Sequence, residues 1–504
     1  MNIAFRTDAS TLIGAGHIMR CLTLANVLRS EGHHVLFVCR KYPGSLNHVI
    51  LKNKYELKEL CFDDAELYQK QIYSDKYSQW LWVSQQQDAD ETAFFLQSMQ
   101  VDLLIIDHYS LDSVWEKHMR TLCKKIMVID DLANRNHDCD LLLDQNLQLQ
   151  SDRYKNLVPA SCELLLGTKY VLLRSEFLKI KQRSNNKNLL QNIFVFFGGG
   201  DSVNIIQMVL RGIIESKFSG IVNVVLGKNN SRSMAIEKNF DRHKFIYFYQ
   251  EVENIVELMK QADLCIGAGG TNSWERCFLG LPSLIITVAE NQLSVANALA
   301  AMNAAQYLGE LKKVSTKLIT SSINALILNP QKLKKLSENA KNLVDGGGTK
   351  RVSKKIMAEI YLKKATPDDV KSIFHLRNHP AIRKNSFSSE EIIFDEHKTW
   401  FNSLLKNASR QLLIAKNFKK ELIGVVRFDF EKDFAEVSIY INPGVHGKGY
   451  GTKILAQGIE WVMKNYHCRH IIAKVKSANI VSQKLFLKAG FINKTTHFEK
   501  IINN

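Results

Sequence analysis

Apolar strands that run into glycine-bearing turns and then into amphipathic helices recur through the first 350 residues of this sequence. This alternation predicts an α/β fold with parallel sheets, because a crossover helix must return the chain before the next parallel strand begins. The predicted strands are Ile3–Asp8, His34–Arg40, Asp102–Tyr109, Lys125–Asp131, Ile193–Gly200, Ile221–Gly227, Phe245–Gln250, Leu264–Gly270 and Leu281–Val288. The predicted helices between them include His17–Ser30, Asn204–Ser216, Thr271–Leu279 and Gln292–Met302.

The predicted strands form two sets, and each set opens with a glycine-bearing turn into a helix. We therefore expect two Rossmann-type domains, residues 1–150 and 151–350, facing each other across a cleft, with a seam near residues 150–190. The pattern then changes, and residues 361–504 predict a separate α+β domain with a glycine-rich turn before a long helix. Three domains also suit 504 residues at roughly 150 residues per domain.

Composition narrows the class of protein. Hydrophobic residues make up 45% and charged residues 23% of the chain, as is typical of globular proteins. The first residues are expected to form a strand and not a secretion signal, and no apolar run approaches the roughly 20 residues that span a bilayer. The nine cysteines contain no Cys-x-x-Cys pair, so we expect a cytoplasmic protein without disulfides or a zinc site.

The net charge of +17 comes from basic residues spread along the chain. A charge of this size suits nucleic acid, an anionic membrane or phosphate-bearing small molecules. The sequence has no basic tail, no zinc finger and no aromatic-basic RNA motif. We therefore favour a solvated basic surface, with neither nucleic acid nor membrane as a partner.

A glycine-histidine turn, Ile13–His17, lies between the first predicted strand and a long helix. Gly14 and Gly16 allow a ligand to approach the backbone closely, and the helix start offers free N–H groups and partial positive charge. That charge disfavours a protonated ring, so His17 is expected to be neutral near pH 7 and able to take a proton from water. A helix-capping histidine is the alternative, and it stays open at this point.

Polar residues also follow the next predicted strands. Asp107, His108 and Tyr109 end one strand, and Asp130-Asp131 end the next, where open parallel sheets bind ligands. We expect Asp107 and Tyr109 to face the cleft. The motif Asp138-Cys139-Asp140 matches a short metal motif, but apolar residues follow it and no partner ligand is evident, so we interpret it as structural and expect no metal.

The second half carries two further glycine turns. Phe194–Asp201, which includes Gly200, and Gly267–Glu275 each lead from a buried strand into a helix and are suited to hold a diphosphate. In the second turn, Gly269, Gly270, Thr271 and Asn272 precede Glu275, whose carboxylate is placed to bind ribose hydroxyls. A turn with a capping glutamate is the alternative. Because Ala289–Gln292 ends the next strand, we favour a nucleotide site.

These stretches together resemble the UDP-sugar hydrolase of pseudaminic acid biosynthesis, a relative of the GT-B glycosyltransferases. The matching segments are Arg6–Ser10, Ile13–Cys21, Asp107–Tyr109, Asp130–Leu132, Cys139–Asn146, the turn at Asp201 and Gly269–Cys277. The resemblance implies a GT-B-like pair of domains that adds water to the anomeric carbon of UDP-2,4-diacetamido-2,4,6-trideoxy-β-L-altropyranose without a metal. It implies His17 as the base, Tyr109 and Asn291 at the sugar, and Gly270, Thr271 and Glu275 at UDP.

The last domain contains His446–Thr452 after a strand and Asn479–Phe491 farther along. In this order and spacing they resemble the GNAT N-acetyltransferases, which use acetyl-CoA. The resemblance implies coenzyme contacts along the strand, the turn and the second motif, by Ile439, Ile441, His446, Gly447, Gly449, Gly451, Thr452 and Asn479. The sequence departs from the family at His446, usually Arg or Gln, and at Phe486, where a tyrosine often protonates the thiolate.

The front of this domain carries Leu376–Asn378, Arg383 and His397–Trp400. Arginine and tryptophan suit a nucleotide, through bidentate phosphate contacts and base stacking. These motifs are similar to the acetyltransferase of the pseudaminic acid pathway, which acetylates the 4-amino group of a UDP-amino sugar. Glu436 is a candidate base, acting directly or through water, and a surface carboxylate is the alternative.

We therefore predict one chain with two consecutive activities, acetylation of UDP-4-amino-4,6-dideoxy-N-acetyl-β-L-altrosamine and hydrolysis of the product. The free sugar would feed pseudaminic acid, a nonulosonate of bacterial flagellin or surface glycans. Two other classes stay open: a glycosyltransferase with the same nucleotide site, and a chain in which one half only binds ligand. The residues do not fix the sugar stereochemistry or the oligomeric state.

Overall fold

The fold is taken from a computed structural model of the chain. It describes all residues except 11, 63–76, 148–151, 181–188, 199–202, 228–232, 251, 253–254, 358–359, 418–420, 448, 467, 495–497 and 502–504. The chain divides into two compact units, Met1–Ile356 and Met357–Asn504. The predicted fold class is confirmed, because the first unit is built on two parallel sheets and the second on a mixed sheet.

The first sheet has seven parallel strands in the order β3-β2-β1-β4-β5-β6-β7. The strands are β1 Asn2–Thr7, β2 His34–Arg40, β3 Glu56–Leu60, β4 Val101–Asp107, β5 Cys123–Ile129, β6 Leu141–Asp144 and β7 Glu163–Leu166. The associated helices are α1 Gly16–Ser30, α2 Asn47–Lys52, α3 Gln85–Leu96, α4 Ser113–Met119 and α5 Ser175–Leu178. The strand order reverses between β1 and β4, where doubly wound sheets bind ligands.

The second sheet has six parallel strands in the order β10-β9-β8-β11-β12-β13. The strands are β8 Asn192–Phe196, β9 Ile221–Leu226, β10 Ile246–Gln250, β11 Leu264–Gly267, β12 Ser283–Thr287 and β13 Gln306–Glu310. The helices are α6 Val203–Ile214, α7 Ser233–Phe240, α8 Ile255–Gln261, α9 Asn272–Leu279, α10 Leu293–Ala301, α11 Thr316–Leu328, α12 Pro330–Lys341 and α13 Gly348–Ile356. Its order reverses between β8 and β11.

Continuous apolar runs explain why these strands are buried on both faces. Side chains of β8, β11 and β12 alternate between two apolar clusters, one containing Ile193 and Ile266 and the other Phe194 and Ile285. The last helix, α13, packs on α1, where the Ser353 hydroxyl donates a hydrogen bond to Glu31. The end of this unit is therefore anchored on the first sheet.

The predicted strands of the first unit are all present, with ends that differ by at most four residues. The strands β3, β6, β7 and β13 were not predicted. β7 lies in the first sheet beyond residue 150, the predicted end of the first domain. We propose that the first domain continues through β7 and that the second begins before β8.

The second unit is a seven-stranded mixed sheet in the order β14-β15-β16-β17-β18-β20-β19. Its strands are β14 Tyr361–Lys364, β15 Arg410–Lys416, β16 Leu422–Phe430, β17 Phe434–Ile441, β18 His470–Ala473, β19 Ile492–Asn493 and β20 Phe498–Ile501. Its helices are α14 Val370–Asn378, α15 Pro380–Arg383, α16 Phe394–Lys406, α17 Tyr450–Asn465 and α18 Ile480–Lys488. None of the helices in the described part of the chain has the length and apolar character needed to cross a bilayer.

Candidate functional site

The turn between β1 and α1 positions His17. Ser10 builds this turn, because its carbonyl accepts a hydrogen bond from the Gly14 N–H at 2.8 Å and its hydroxyl accepts one from Ile13 at 3.0 Å. Gly14 has φ +82°, and a Cβ there would meet no atom within 4 Å, so the backbone faces open space. Ala15 occupies the N-cap position of α1. The alternative of a helix-capping His17 is therefore not what the structure shows.

The ring of His17 is held by a buried carboxylate at the end of β4. Nδ1 lies 2.6 Å from Asp107 Oδ1. Arg20, one turn along α1, donates from Nη2 and Nε to the two oxygens of Asp107, each at 2.6 Å. Although burial alone would raise the pKa of Asp107, attraction to Arg20 and His17 holds it well below its usual range. An ionised Asp107 only accepts, so Nδ1 of His17 carries the shared proton.

This arrangement corrects the position predicted for Asp107. Asp107 was expected to face the cleft, but its side chain is fully buried and hydrogen-bonded to His17 and Arg20. With Nδ1 protonated, Nε2 of His17 is the nitrogen that accepts a proton, and no described residue hydrogen-bonds it. The expectation for the charge of His17 was based on the helix start alone and did not include the Asp107 carboxylate.

Tyr109 follows Asp107 and packs against the same histidine. Its ring meets the His17 ring edge to face at a centroid distance of 4.7 Å. Its hydroxyl donates to Asp131 Oδ1 at 2.5 Å, and Arg20 reaches Asp131 Oδ2 at 3.1 Å. Burial, together with the Asp131 carboxylate, raises the pKa of Tyr109, so the phenol stays protonated. Arg20 therefore joins the two carboxylates that fix His17 and Tyr109, a link that the sequence did not reveal.

A second buried charge cluster supports the strand ends beneath the site. Arg6 is fully buried and donates to Asp8 at 2.6 Å and to Asp88 at 2.6 and 3.1 Å. Arg40 adds a contact to Asp88 at 2.8 Å, and Asp8 accepts the backbone N–H of Arg40. Nε2 of His108 lies 3.3 Å from Asp8. These contacts join β1, β2, α3 and β4, which explains the Arg6–Asp8 motif as structural support.

The glycine turn of the second sheet lies opposite the first turn. A Cβ on Gly16 would lie 3.3 Å from the Thr271 hydroxyl. Gly267 packs tightly against β8, whereas a Cβ on Gly270 would meet nothing within 4 Å, so the turn is open at that residue. Gly269 lies against the carbonyl of Gln292. The turns predicted to bind phosphate and to activate water therefore approach each other. Gly200 lies outside the described residues.

Glu275 lies one turn into α9 and is mostly buried. Its Oε1 accepts a hydrogen bond from Arg174 Nε at 2.8 Å, and its Oε2 accepts one from Asn272 Nδ2 at 2.8 Å. Glu275 therefore does not cap the helix backbone, as the alternative interpretation required. Asn291 is partly exposed in a short helical turn after β12. The structure shows no contact that assigns Asn291 a role.

Residues 144–146 tie the first sheet to α9. The carbonyl of the Asn146 side chain accepts a hydrogen bond from Trp274 Nε1 at 3.1 Å, and Gln145 Oε1 accepts the N–H of Leu172 at 3.1 Å. Asp144 accepts the hydroxyl of Tyr154 at 3.0 Å. This buried motif therefore sets the position of the nucleotide turn relative to β6.

The structure supports a structural role for Asp138 and Asp140. Arg120 binds both carboxylates, at 3.0 Å from Nε to Asp138 and through Nη1 to Asp140. Within the described residues, no group of three or more histidine, cysteine, aspartate or glutamate side chains is arranged to hold a metal ion.

The glycine-rich turn of the second unit leads into α17. Gly447 and Gly449 have φ +78° and +76°, and a Cβ at either would meet no atom within 4 Å. Gly449 is the N-cap of this 16-residue helix, so the N–H groups of Tyr450, Gly451 and Thr452 have no partner within the helix. An open turn at a long helix start fits a pyrophosphate.

The other predicted coenzyme residues have local partners. Nε2 of His446 lies 3.0 Å from the Ile441 carbonyl, which holds the turn against β17. Asn479 caps α18 by accepting the Ser482 N–H at 3.1 Å. Ile439 and Ile441 pack their side chains on the apolar core. β18 pairs only with Phe434–Glu436, so no described strand covers the remaining backbone of β17 on that side.

Two predicted catalytic positions of this unit differ in environment. Phe486 is buried against Phe491 and Phe498, with ring centroids at 5.0 and 6.2 Å, and it offers no proton. Glu436 lies in an exposed ion pair with Lys474, at 2.7 Å. Its hydrogen bond raises the pKa of Lys474. The environment of Glu436 is thus that of a surface carboxylate, which is the alternative interpretation of this residue.

A cationic cluster centred on Arg377 brings together side chains of α14, α16, β16 and β17. The Arg377 guanidinium stacks on Trp400 at 4.0 Å, contacts Nδ1 of His397 at 3.2 Å, and pairs with no carboxylate in the described part of the chain. Burial and the charge of Arg427 lower the pKa of Arg377. Burial also raises the pKa of the neighbouring Tyr440 to about 12. Such an uncompensated cation favours an anionic ligand. The sequence indicated Arg377 and Trp400 but not Arg427 or Tyr440.

Comparisons with known proteins identify both parts of the chain. Residues 359–492 match the acetyltransferase (GNAT) domain, and residues 192–356 match the C-terminal domain of glycosyltransferase family 28. The acetyltransferase resemblance and the GT-B-like resemblance are therefore confirmed. The family match does not extend to residues 1–191.

The relatives cover different shares of the chain. A UDP-2,4-diacetamido-2,4,6-trideoxy-β-L-altropyranose hydrolase of Campylobacter jejuni is 28% identical over 301 positions, which are 60% of this chain and 96% of that protein. An uncharacterized protein of Methanocaldococcus jannaschii is 25% identical over 513 positions, 97% of this chain and 96% of the relative. The order of the two parts therefore also occurs in a full-length relative.

A solved structure resembles the first unit in fold. MurG of Acinetobacter baumannii is 14% identical, with a TM-score of 0.50, and the match covers 71% of this chain and 99% of the MurG chain. At this identity the likeness concerns the fold alone, and it agrees with a GT-B arrangement of two parallel sheets.

The pairing of Asp107 with His17 leads to a first prediction. If His17 takes a proton from water, Asp107→Asn should lower the rate of UDP release from a nucleotide sugar by about 10² or more, since the base loses its charged partner. UDP affinity should be retained. Asp102→Asn is the matched control, because Asp102 lies at the opposite end of β4 and binds Lys124. Equal rates in both variants, at unchanged melting temperature, would reduce Asp107 to a structural residue.

A second prediction separates two roles of Glu275. Glu275→Ala should weaken UDP binding about 10- to 100-fold, the worth of hydrogen bonds to a charged group. Arg174→Gln removes the partner at 2.8 Å but leaves the carboxylate, so UDP affinity should be largely retained. Isothermal titration of UDP measures both. If both variants lose stability equally and neither loses UDP affinity, Glu275 only anchors Arg174.

Proposed function

We propose that this chain, which joins a family 28-like glycosyltransferase fold to a GNAT acetyltransferase domain, is an enzyme with two consecutive activities. The second unit transfers an acetyl group to the 4-amino group of UDP-4-amino-4,6-dideoxy-N-acetyl-β-L-altrosamine. The first unit then hydrolyses UDP-2,4-diacetamido-2,4,6-trideoxy-β-L-altropyranose. One observation carries the proposal: the His17–Asp107 pair lies beside the open glycine turn at Gly270, and the same chain contains a second open glycine turn at Gly447 and Gly449.

In the first unit, His17 acts as the base. Asp107 keeps the proton on Nδ1, so Nε2 is available to take a proton from water. The water oxygen forms a bond to the anomeric carbon, the bond from that carbon to the UDP oxygen breaks, and UDP leaves with the bonding electrons. Asp107 stabilises the imidazolium that results, as a carboxylate does in other histidine-based sites.

The leaving group explains why one base is sufficient. UDP departs as a stable anion, so a second carboxylic acid to protonate it is unnecessary, in contrast to ordinary glycosidases. In the proposed site, the N–H groups at the start of α9 and the Thr271 hydroxyl hold the diphosphate, and Glu275 binds the ribose. Tyr109 and Asn291 are proposed to contact the sugar. When UDP binds, the Glu275 carboxylate would give up its hydrogen bond to Arg174 or Asn272 and accept hydrogen bonds from the ribose hydroxyls instead.

In the second unit, the open turn at Gly447 and Gly449 fits the pyrophosphate of acetyl-CoA, which supplies a reactive thioester. The uncovered backbone of β17 is placed to bind the arm that carries the thioester. The sugar amine attacks the thioester carbonyl, its nitrogen forms the amide bond, the carbon–sulfur bond breaks, and coenzyme A leaves as the thiol after gaining a proton. Glu436 is the candidate acceptor of the amine proton.

The acceptor pocket favours a nucleotide sugar. Arg377, which stacks on Trp400 and has no carboxylate partner in the described part of the chain, would repel cationic acceptors such as polyamines and attract a diphosphate, whereas Arg427 is already paired with Asp429 at 2.9 Å. Phe486 has no hydroxyl, and α18 contains no tyrosine that could donate a proton in its place. We therefore propose water or the amine proton as the source of the thiol proton. We assign the activity to the cytoplasm and to nonulosonate synthesis for flagellin or other glycans.

Product analysis tests the proposal. Mass spectrometry of reactions containing the UDP-4-amino sugar should show free diacetamido sugar and UDP only when acetyl-CoA is present. The variant His17→Asn should stop at the acetylated UDP-sugar, with its hydrolytic rate lowered about 10² or more, typical of a lost general base. His118→Asn is the matched control, because His118 is partly exposed on α4. An unchanged product pattern in His17→Asn would remove this residue from the mechanism.

The same experiment separates the alternatives. A glycosyltransferase would give a glycosylated acceptor in place of free sugar when acceptor-containing extract is added, a possibility that the family 28 match keeps open. A chain whose second unit only binds ligand would leave the UDP-4-amino sugar unacetylated while still hydrolysing the acetylated sugar. Either outcome would replace the corresponding half of the proposal.

A further prediction tests the division between the two units. Gly449→Val should abolish acetyl transfer, because φ +76° strains a branched residue and its side chain would enter the open turn. UDP release from the already acetylated sugar should continue. Gly444→Ala is the control, since its Cβ would lie 3.5 Å from Asn442 Oδ1, an ordinary contact. Loss of both activities in a variant with an unchanged melting curve would contradict two independent sites.

A further inference from the structure

We infer that Arg276, a buried arginine on α9, supplies the positive charge that attracts the diphosphate of UDP from behind the glycine turn formed by residues 267–273. The inference rests on the proposed nucleotide site of the first unit and assigns the charge of that site to one residue. Arg276 contacts the backbone of the turn, so it acts through the turn as a positioning residue. The ligand that it favours is a nucleotide with two phosphate groups.

The guanidinium of Arg276 lies against the inner side of the turn. Arg276 is 2% exposed, and its Nη2 donates to the Ala268 carbonyl at 2.7 Å and to the Ser273 hydroxyl at 2.8 Å. A Cβ on Gly267 would lie 2.9 Å from Nη1, so the missing side chain at the end of β11 makes room for this group. The end of β11 and the first turn of α9 together therefore hold the cation in place.

The charge of this arginine has no local counter-ion. No carboxylate of the described residues pairs with Arg276, and its Nε donates to none of their oxygens. The nearby Cys265 thiol, at 3.6 Å, stays neutral because burial raises its pKa. The neighbouring Glu275 uses its two oxygens on Arg174 and Asn272. A buried cation of this kind is unfavourable by itself, so an anion that approaches it is bound favourably.

The contact with Ala268 also orients the backbone of the turn. In a planar trans peptide the carbonyl and the following N–H point in opposite directions, so the Gly269 N–H points away from Arg276. The N–H groups of Gly269, Gly270 and Thr271 donate to none of the described residues. A Cβ on Gly270 would meet no atom within 4 Å. A cation on one side of an open turn whose N–H groups have no described partner suits a diphosphate.

The expected size of the effect follows from the burial of the charge. At an effective dielectric near 20, two unit charges roughly 7 Å apart change a binding constant by on the order of 10- to 100-fold. Salt screens a buried charge much less than it screens exposed lysines. The same charge would stabilise the negative charge that develops on UDP as it leaves. We therefore expect an effect that grows with the number of phosphates and depends weakly on ionic strength.

Titration of UDP and UMP, with uridine measured by competition, tests this role. Arg276→Gln keeps hydrogen-bond donors but removes the charge, so it should weaken UDP binding about 10- to 100-fold, UMP binding less, and uridine binding by no more than about twofold. Arg276→Lys keeps the charge and should bind UDP within a few-fold of the parent. Arg211→Gln, which changes an exposed arginine on α6, is the matched control and should leave all three affinities unchanged.

Two outcomes of these titrations would overturn the inference. The first is a UDP affinity in Arg276→Gln equal to that of the parent. The second is an equal loss of UDP affinity in the Gln and Lys variants, which would mean that Arg276 shapes the turn by its hydrogen bonds and contributes no charge.

A measurement on the parent protein keeps the inference testable if the variants do not fold. Its affinity for UDP should exceed that for uridine by at least about tenfold and should fall only a few-fold between about 50 and 500 mM sodium chloride. A steep fall, or equal affinities, would overturn the inference. Because these titrations contain no sugar, a parent that binds UDP in this way but releases none from the acetylated UDP-sugar would contradict the proposed hydrolysis alone.

Discussion

The geometry of the first unit depends on one buried carboxylate, Asp107, at the point where the strand order of the first sheet reverses. A buried carboxylate is unfavourable unless charged partners surround it, and here Arg20 and His17 use both oxygens. Arg20 also donates a hydrogen bond to Asp131, which accepts another from the Tyr109 hydroxyl. This charge network therefore fixes His17, Tyr109 and the start of α1, so the residues of the first turn of the candidate site are set by the same charge balance.

The sequence predicted the fold well where it contains a periodic hydrophobic pattern or a glycine turn. The buried runs of β4 and β8 and the glycine turns before α1, α9 and α17 have local signals, since apolar strands and left-handed glycines are specified by a few neighbours. Two edge strands were missed for a physical reason. β3, Glu56–Leu60, and β13, Gln306–Glu310, lie at the sheet edges and carry polar side chains, so they have no continuous apolar run.

The candidate site was predicted in its members but not in its connections. His17, Tyr109 and Glu275 were found because their residue types occur at strand ends and helix starts. No role was predicted for Arg20 or Arg174, and Asp131 was noted at a strand end without its bond to Tyr109. A pairing such as Arg174 with Glu275 joins residues 101 positions apart. Asn479, which was predicted to bind coenzyme, caps α18 through the Ser482 N–H, and its contact with coenzyme stays a prediction. Long-range pairing is a property of the fold, not of a motif.

Hydrolysis and glycosyl transfer differ only in which oxygen reaches Nε2 of His17. Both need a base and a diphosphate held by N–H groups, and the proposed site of the first unit would supply them for either reaction. What distinguishes them is the room left beside the base. His17 is 7% exposed, with Trp80 and Tyr109 packed around its ring, so only a small part of the imidazole is open to solvent. Trp80 stacks on Tyr109 beside this ring, at a centroid distance of 5.3 Å. A water molecule needs less room there than an acceptor sugar or a lipid hydroxyl, so this packing is an argument, by size and not by the chemistry of the base, for water as the nucleophile of the proposed reaction.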